Sequence, residues 1–426
     1  MSAALAATEA RVLEHLDAQA LVDGLVDLVR VPSVTGTDAE SDLQYRQAED
    51  LARLGFEVDS WKLDLPALAA DPEFPGTEAP RTEGYGVVGV LGGAGTPALV
   101  LQGHVDVVPT GDPGKWTTAD PFAGTIIGRA LHGRGACDMK AGVAVNAAVA
   151  ATLARSGVVL ERPFAVHSVV SEEDGGLGAF ATLRRGHGGE VAVLTEPTSG
   201  RIVIANAGAL TFRLVVPGRA AHGSTRLEGV SAFEAFLPIH RALQDLERAR
   251  NSDPDPLFGG IPLPYPISIG RIAAGDWASS VPDLLTAEGR LGVRLGEDPA
   301  DARADFERAI DDAALRDPWL ADHRPQVLWH GGQFASGSMH AAHPLIGEVA
   351  ASVAATRAGG ARPEPGAAPY GSDLRLYAAG GIPALHYGPG DVRFAHAPRE
   401  QVDLDEVLEV AAALVVLTVR RCGGHF

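Results

Sequence analysis

The chain has 426 residues, 46% of them hydrophobic and 21% charged, the balance of a globular protein long enough for a large core and two folding units. A formal net charge of -19 argues against nucleic acid or an anionic membrane as partner, because such surfaces recruit lysine and arginine. Two cysteines, Cys137 and Cys422, are too few for a disulfide framework and fit a reducing compartment, which makes a cytoplasmic enzyme the leading class.

The first segment, MSAALAATEARVLEHLDAQALVDGLVDLV, lacks a basic leader, and Glu9, Glu14, Asp17 and Asp23 interrupt its apolar residues, so it reads as an amphipathic helix rather than a signal peptide. No later stretch reaches the roughly 20 apolar residues of a membrane span. The stretch Asp64 to Thr82, rich in proline and acids, reads as a surface loop. GYGVVG, Gly84 to Gly89, matches the dinucleotide fingerprint in letters, but a strand, turn and strand follow where the fingerprint needs a helix, so a hairpin is expected. Strands are predicted at GVVGVLG, ALVLQGHVDVV, FAVHSVVSEE and VAVLTEP. Between the second and third of these lies MKAGVAVNAAVAATLARSG, a helix apolar nearly all round, stopped by Gly157 and suited to a core. The alternation predicts an α/β domain with a mostly parallel sheet covered by helices.

After Asn206 the order becomes strand, helix, strand, strand, helix, strand, the ferredoxin-like split motif. This predicts three stretches: 1–207 as the first part of a catalytic domain, 208–334 as an inserted α+β domain, and 335–426 as the return to the first sheet.

Potential ligands collect at strand ends. In LVLQGHVDVVP, alternation puts His104 and Asp106 on one face, where the carboxylate can accept one imidazole N–H and leave the other nitrogen for a metal. Asp138 in GRGACDMKAG, Glu172 and Glu173 in SEEDGG, Glu196 in LTEPT and His396 in FAHAPRE complete the set. Taken singly each has an ordinary explanation: Asp138 also suits the cap of the helix that begins near Met139. Together they are the donor types of zinc and similar divalent ions, and several carboxylates suit a bridged pair of ions. In SEEDGGLGAF the two glutamates can serve one site only if the strand has ended, and the glycines at 175, 176 and 178 make a turn there plausible.

The ordered series GHVDVVP, WTTADPF, GRGACDMKAG, SEEDGG, TEPT, GRAAHGS and a late AH followed by a glutamate resembles the M20 metallopeptidases, and within them the deacetylase and desuccinylase branch. The match runs from about Leu25 to the C-terminal helix. The resemblance implies two divalent ions, zinc first with cobalt or manganese as alternatives. His104 and Glu196 would hold one, Glu173 and His396 the other, and Asp138 both. It implies Asp106 as the orienter of His104, Glu172 as general base, and a cis peptide after Asp138. It also implies an inserted domain that acts as lid and homodimer surface, with His222 of GRAAHGS donating to the oxyanion in the neighbouring subunit's site.

A carboxylate on the substrate calls for an arginine, and Arg290, Arg294 and Arg375 are candidates, with Gly388 of HYGPGD as a further binding position. Asp174 is assigned to the surroundings of the ligands or to solvent, Cys137 to a buried small side chain, and His132 to no role. The expected reaction is hydrolysis of the amide of a small N-acylated acid; a dipeptidase or carboxypeptidase and a non-catalytic binding protein are the rivals.

Overall fold

The computed structural model describes residues 5–426 and divides into two compact units. The first comprises Met1–Ala205, Ser338–Gly366 and Asp373–Phe426, and the second Asn206–Gly337 with Ala367–Ser372. The main sheet of the first unit includes the strands β1 (Glu57–Lys62), β2 (Tyr85–Leu91), β3 (Leu99–His104), β4 (Phe164–Val169), β5 (Ala192–Leu194), β6 (Ile202–Asn206) and β7 (Ala384–His386). They lie in the order β1-β2-β4-β3-β5-β7-β6. The central run β4-β3-β5-β7 is parallel, while β1, β2 and β6 pair antiparallel at its margins. The parallel strands β3, β4 and β5 are buried throughout, as expected of a sheet covered on both faces.

The first segment forms two helices rather than one: α1 (Ala7–Leu13) and α2 (Ala18–Val29). Asp17 makes the break by accepting the N–H of Ala20 as an N-cap, and the expected start at Met1–Ala4 lies outside the described residues. The remaining helices of this unit that matter here are α3 (Asp38–Arg53), α4 (Lys140–Ser156), α5 (Leu177–Arg184) and α6 (Leu404–Arg421). α4 packs on β3, α2 and α6, and ends at left-handed Gly157 as its sequence predicts. Its covering is incomplete, however, for Ala147, Ala148 and Ala151 are only half-buried.

The expected hairpin around Gly86 does not form. β2 and β3 do not pair with each other, because β4 lies between them and hydrogen-bonds to both. The glycines there serve packing: a Cβ at Gly86 would sit 2.2 Å from the Trp61 ring.

The second unit has a four-stranded antiparallel sheet in the order Ile267–Ala274, Leu284–Val293, Gly208–Pro217, Gln326–Phe334. Helices Ala232–Arg250 and Pro299–Ala314 close over a core that includes Phe212, Phe236, Phe306 and Ile310. No helix among the described residues is long and apolar enough to cross a membrane.

Candidate metal centre

The site lies at the carboxyl ends of the parallel strands, where open α/β sheets place their ligands. His104 is the last residue of β3, the Ser171–Gly176 turn follows β4, Glu196 follows β5, and His396 follows β7. Asp138 comes from the turn before α4, and the Asp138–Met139 peptide is cis. Contact between backbones sets the approach of these loops: a Cβ at Gly142 of α4 would lie 2.1 Å from the carbonyl oxygen of Thr195, next to Glu196.

His104, Asp138 and Glu196 each place a donor atom within 4.8 Å of the others, and Asp138, Glu173 and His396 do the same. Asp138 thus belongs to both triads. Its Oδ1 is 3.3 Å from Nε2 of His104 and its Oδ2 is 3.5 Å from Nε2 of His396. Nε2 of His396 is also 3.0 Å from Oε2 of Glu173. His396 has a φ of 58°, a left-handed conformation that histidine adopts more readily than most residues. Nε2 of His104 and Oε1 of Glu196 are buried and have no hydrogen-bond partner, an expensive state for both atoms. Cations placed in the two triads satisfy these atoms, and the mixed imidazole and carboxylate donors suit zinc, cobalt or manganese.

The electrostatics agree. Burial works against charge on Asp138, yet the two histidines hold its carboxyl well below the usual range. Burial opposes a proton on His104 too, but Asp106 and Asp138 push it well above its ordinary value. Glu173 raises His396 to about 11, against a smaller effect of burial. Without metal, protons occupy the places of the cations.

The turn resolves how adjacent glutamates reach one site. β4 has ended at Val169, and Ser171, Gly175 and Gly176 all have positive φ. The N–H groups of Glu172 and Glu173 both point to Asp106, at 3.1 Å from Oδ1 and 3.2 Å from Oδ2. This changes the expected role of Asp106. Nδ1 of His104 is 3.0 Å from the backbone oxygen of Asp106 and 3.5 Å from its carboxylate, so the carbonyl takes the imidazole proton and the carboxylate clamps the turn. Glu172 belongs to neither triad but lies beside the first, with Oε2 3.9 Å from Nε2 of His104. It is 7% exposed. Burial first, then the charge of Glu196, pushes its carboxyl well above the usual range.

Asp174 is buried rather than solvated. It accepts the N–H groups of Glu78 and Ala79 and the hydroxyl of Ser171. The segment expected to be only a surface loop therefore fastens the turn, and it delivers Arg81, buried 3.3 Å from Glu40. Glu40 in turn accepts the N–H of Ser171. Sequence reasoning also missed Glu400. One of its oxygens accepts the N–H groups of Cys137 and Asp138, both at 3.1 Å, and the other pairs with buried Arg134. The glutamate after AH in FAHAPRE was the available signal. Cys137 is fully buried, its thiol donating to the carbonyl of Asp391, as the small-side-chain reading expects.

Of the substrate-binding candidates, Arg375 is 5% exposed and donates to the carbonyl of Gly175 at 2.6 Å, which fastens the turn. Gly388 serves close approach: a Cβ there would lie 2.3 Å from the carbonyl oxygen of Thr195. Three candidates belong to the second unit. Nδ1 of His222 lies 2.7 Å from the hydroxyl of Ser224, Arg290 is exposed on Leu284–Val293, and Arg294 donates to the carbonyls of Ala249 and Arg250.

Comparison with known proteins fits this geometry. A succinyl-diaminopimelate desuccinylase of Methylobacterium sp. (strain 4-46) is 39% identical over 303 residues, 67% of this chain and 69% of the relative. An N-formyl-4-amino-5-aminomethyl-2-methylpyrimidine deformylase of Halalkalibacterium halodurans is 26% identical over 397 residues, 87% of this chain and 86% of the relative. The fold is shared with a di-peptidase of Saccharomyces cerevisiae at a TM-score of 0.76 and 13% identity, over 99% of each chain. Residues 100–421 match the domain of peptidase family M20/M25/M40, and the chain belongs to that family of hydrolases.

Proposed function

We propose that this hydrolase removes the acyl group from a small N-acylated acid, with Glu172 as general base. The observation that carries the reading is the place of Glu172: a buried carboxylate 3.9 Å from the His104 imidazole that belongs to neither donor triad. His104 and Glu196 would hold one divalent ion, Glu173 and His396 a second, and Asp138 both. Zinc, or cobalt or manganese in its place, would polarise the scissile carbonyl and make water acidic enough to ionise near neutral pH. Glu172 takes the proton of the attacking water and returns it to the amine nitrogen as the C–N bond breaks. Its raised proton affinity suits both halves of that transfer.

The choice of an acyl group is supported by the names of the two relatives, one a desuccinylase and one a deformylase. In this reading Arg290 or Arg294 meets a substrate carboxylate, and the enzyme works in the cytoplasm as a homodimer through its second unit. His222 then donates to the oxyanion in the partner's site. Exposed Leu227, Ile272 and Trp277 support such a surface, at 90%, 55% and 73% exposure.

The test is a panel of N-formyl, N-acetyl and N-succinyl amino acids beside dipeptides, run on the native protein and on Glu172→Gln. Turnover of acylated compounds is expected, with kcat lower by about 10²-fold or more in the variant and metal content unchanged. Cleavage of dipeptides alone would make it a dipeptidase. No turnover with zinc, cobalt or manganese would leave a binding protein.

A further inference from the structure

Close to the donor triads sits a carboxylate that the reaction does not use. Asp373 is fully buried and opens the short helix Leu374–Ala379. Its Oδ2 accepts the side-chain amide of Gln102 at 3.0 Å. Gln102 lies on β3, two residues before His104, and its backbone oxygen accepts the N–H and the hydroxyl of Thr195, the neighbour of Glu196, both at 3.1 Å. One glutamine thus ties Asp373 to the two segments that deliver His104 and Glu196. The other oxygen, Oδ1, has no hydrogen-bond partner, and a Cβ on Gly176 would lie 2.5 Å from it, so the end of the Glu172 turn comes against it.

A helix anchor does not call for this charge. Tyr377, one turn along the same helix, anchors it with an uncharged group, its Oη 2.9 Å from Nδ1 of buried His167. Asparagine at position 373 would bond to Gln102 as aspartate does, and burying an amide costs less than burying a carboxylate with one oxygen unpaired. Burial raises the Asp373 carboxyl to about 6, against the pull of Arg375. The charge does reach the metal centre: burial first, and then charges that include Asp373, raise the carboxyls of Glu172 and Glu196. With cations in the triads, the same charge attracts where it otherwise repels.

We infer that Asp373 is a positioning residue for the ion of His104 and Glu196: held by Gln102, it sets a negative charge beside that ion without being one of its ligands. The inference rests on the two-ion reading of the triads.

The test is cobalt titration followed by visible absorption, beside the Tm of the chelated protein above neutral pH. Glu196→Ala marks the step of uptake that belongs to the triad of His104. Asp373→Asn should weaken that step by about tenfold or more and leave the other step at the native level. Its chelated form should melt no lower than the native one, because a repelling charge has gone. A residue that only anchored the helix would do the reverse, as Tyr377→Phe is expected to do: lower Tm with native uptake. If Asp373→Asn cannot be produced folded, Gln102→Met, which releases the same carboxylate, decides by the same step and by shifted cobalt bands. Native uptake in the folded variants, a lower Tm in folded Asp373→Asn, or an equal loss of uptake in Tyr377→Phe would each overturn the assignment alone. A native protein that takes up no cobalt would overturn it together with the two-ion reading.

Discussion

Asp106 holds Glu172 by its backbone: Oδ1 of the aspartate accepts the glutamate N–H at 3.1 Å, while Oδ2 accepts that of Glu173 at 3.2 Å. One buried carboxylate therefore fixes both the proton-transfer residue and a metal ligand. Asp106→Asn keeps the size but can accept through only one oxygen, and its NH₂ group would face an N–H donor. The loss should lower kcat or metal affinity by about 10–100-fold, the usual cost of removing a partner behind the ligands. Metal content after dialysis and kcat measured at saturating metal separate the two effects. An Asn variant as active and as tightly loaded as the native protein would show that the clamp is dispensable.

The ligands were legible because each lies just past an apolar strand or beside a glycine turn, local patterns that survive in one dimension. The clamp was not. H-x-D spacing points to a carboxylate on the imidazole, whereas the fold turns the Asp106 carboxylate toward a loop 66 residues later and leaves the carbonyl for His104. The same limit hid Glu400 and Arg81, whose partners are 263 and 41 residues away, for Cys137 and Glu40 respectively. Strand order was misread for a related reason: the run around Gly86 shows a turn between two strands but cannot show β4 entering between them.

Glu400 is a positioning residue for Asp138, and its ion pair with Arg134 is buried at both ends. Burial raises its carboxyl to about 7, although Arg134 draws it down. Glu400→Gln leaves Arg134 buried without its counter-charge, and breaking such a pair typically costs about 3–5 kcal/mol. The expected result is a lower Tm together with weaker metal binding, measured by thermal denaturation and by competition with a chromogenic chelator. Native stability in the Gln variant would remove Glu400 from the support of Asp138.

Gly388→Ala tests whether this glycine acts on the metal centre rather than on substrate. The added Cβ would meet the carbonyl oxygens of Thr195 and Glu196 at 2.3 and 2.5 Å, both backbone atoms that cannot swing aside. Glu196 must shift, so the triad with His104 should weaken while that of Glu173 and His396 remains. Metal titration is expected to fall from two tight equivalents toward one. A raised KM with both equivalents retained would instead support contact with substrate.

Removing the metal by chelation should cost stability in a pH-dependent way. In the metal-free protein His396 is raised to about 11 and His104 also lies well above the ordinary 6.5. A raised pKa in the folded state stabilises fully below the unfolded value and loses that contribution as pH climbs through the folded one. Glu172 and Glu196, raised well above 4.5, work in the same direction. The chelated protein should thus lose Tm as pH climbs from about 4.5 toward about 11, as protons leave the glutamates and then the histidines of this cluster. The loaded protein should hold its Tm over that range, because metal binds better once its ligands are deprotonated. Metal at 100 times its dissociation constant contributes about 2.7 kcal/mol. The gap between the two Tm curves should therefore widen with pH, and a gap that stays constant or narrows would mean that protons and metal do not compete for these side chains.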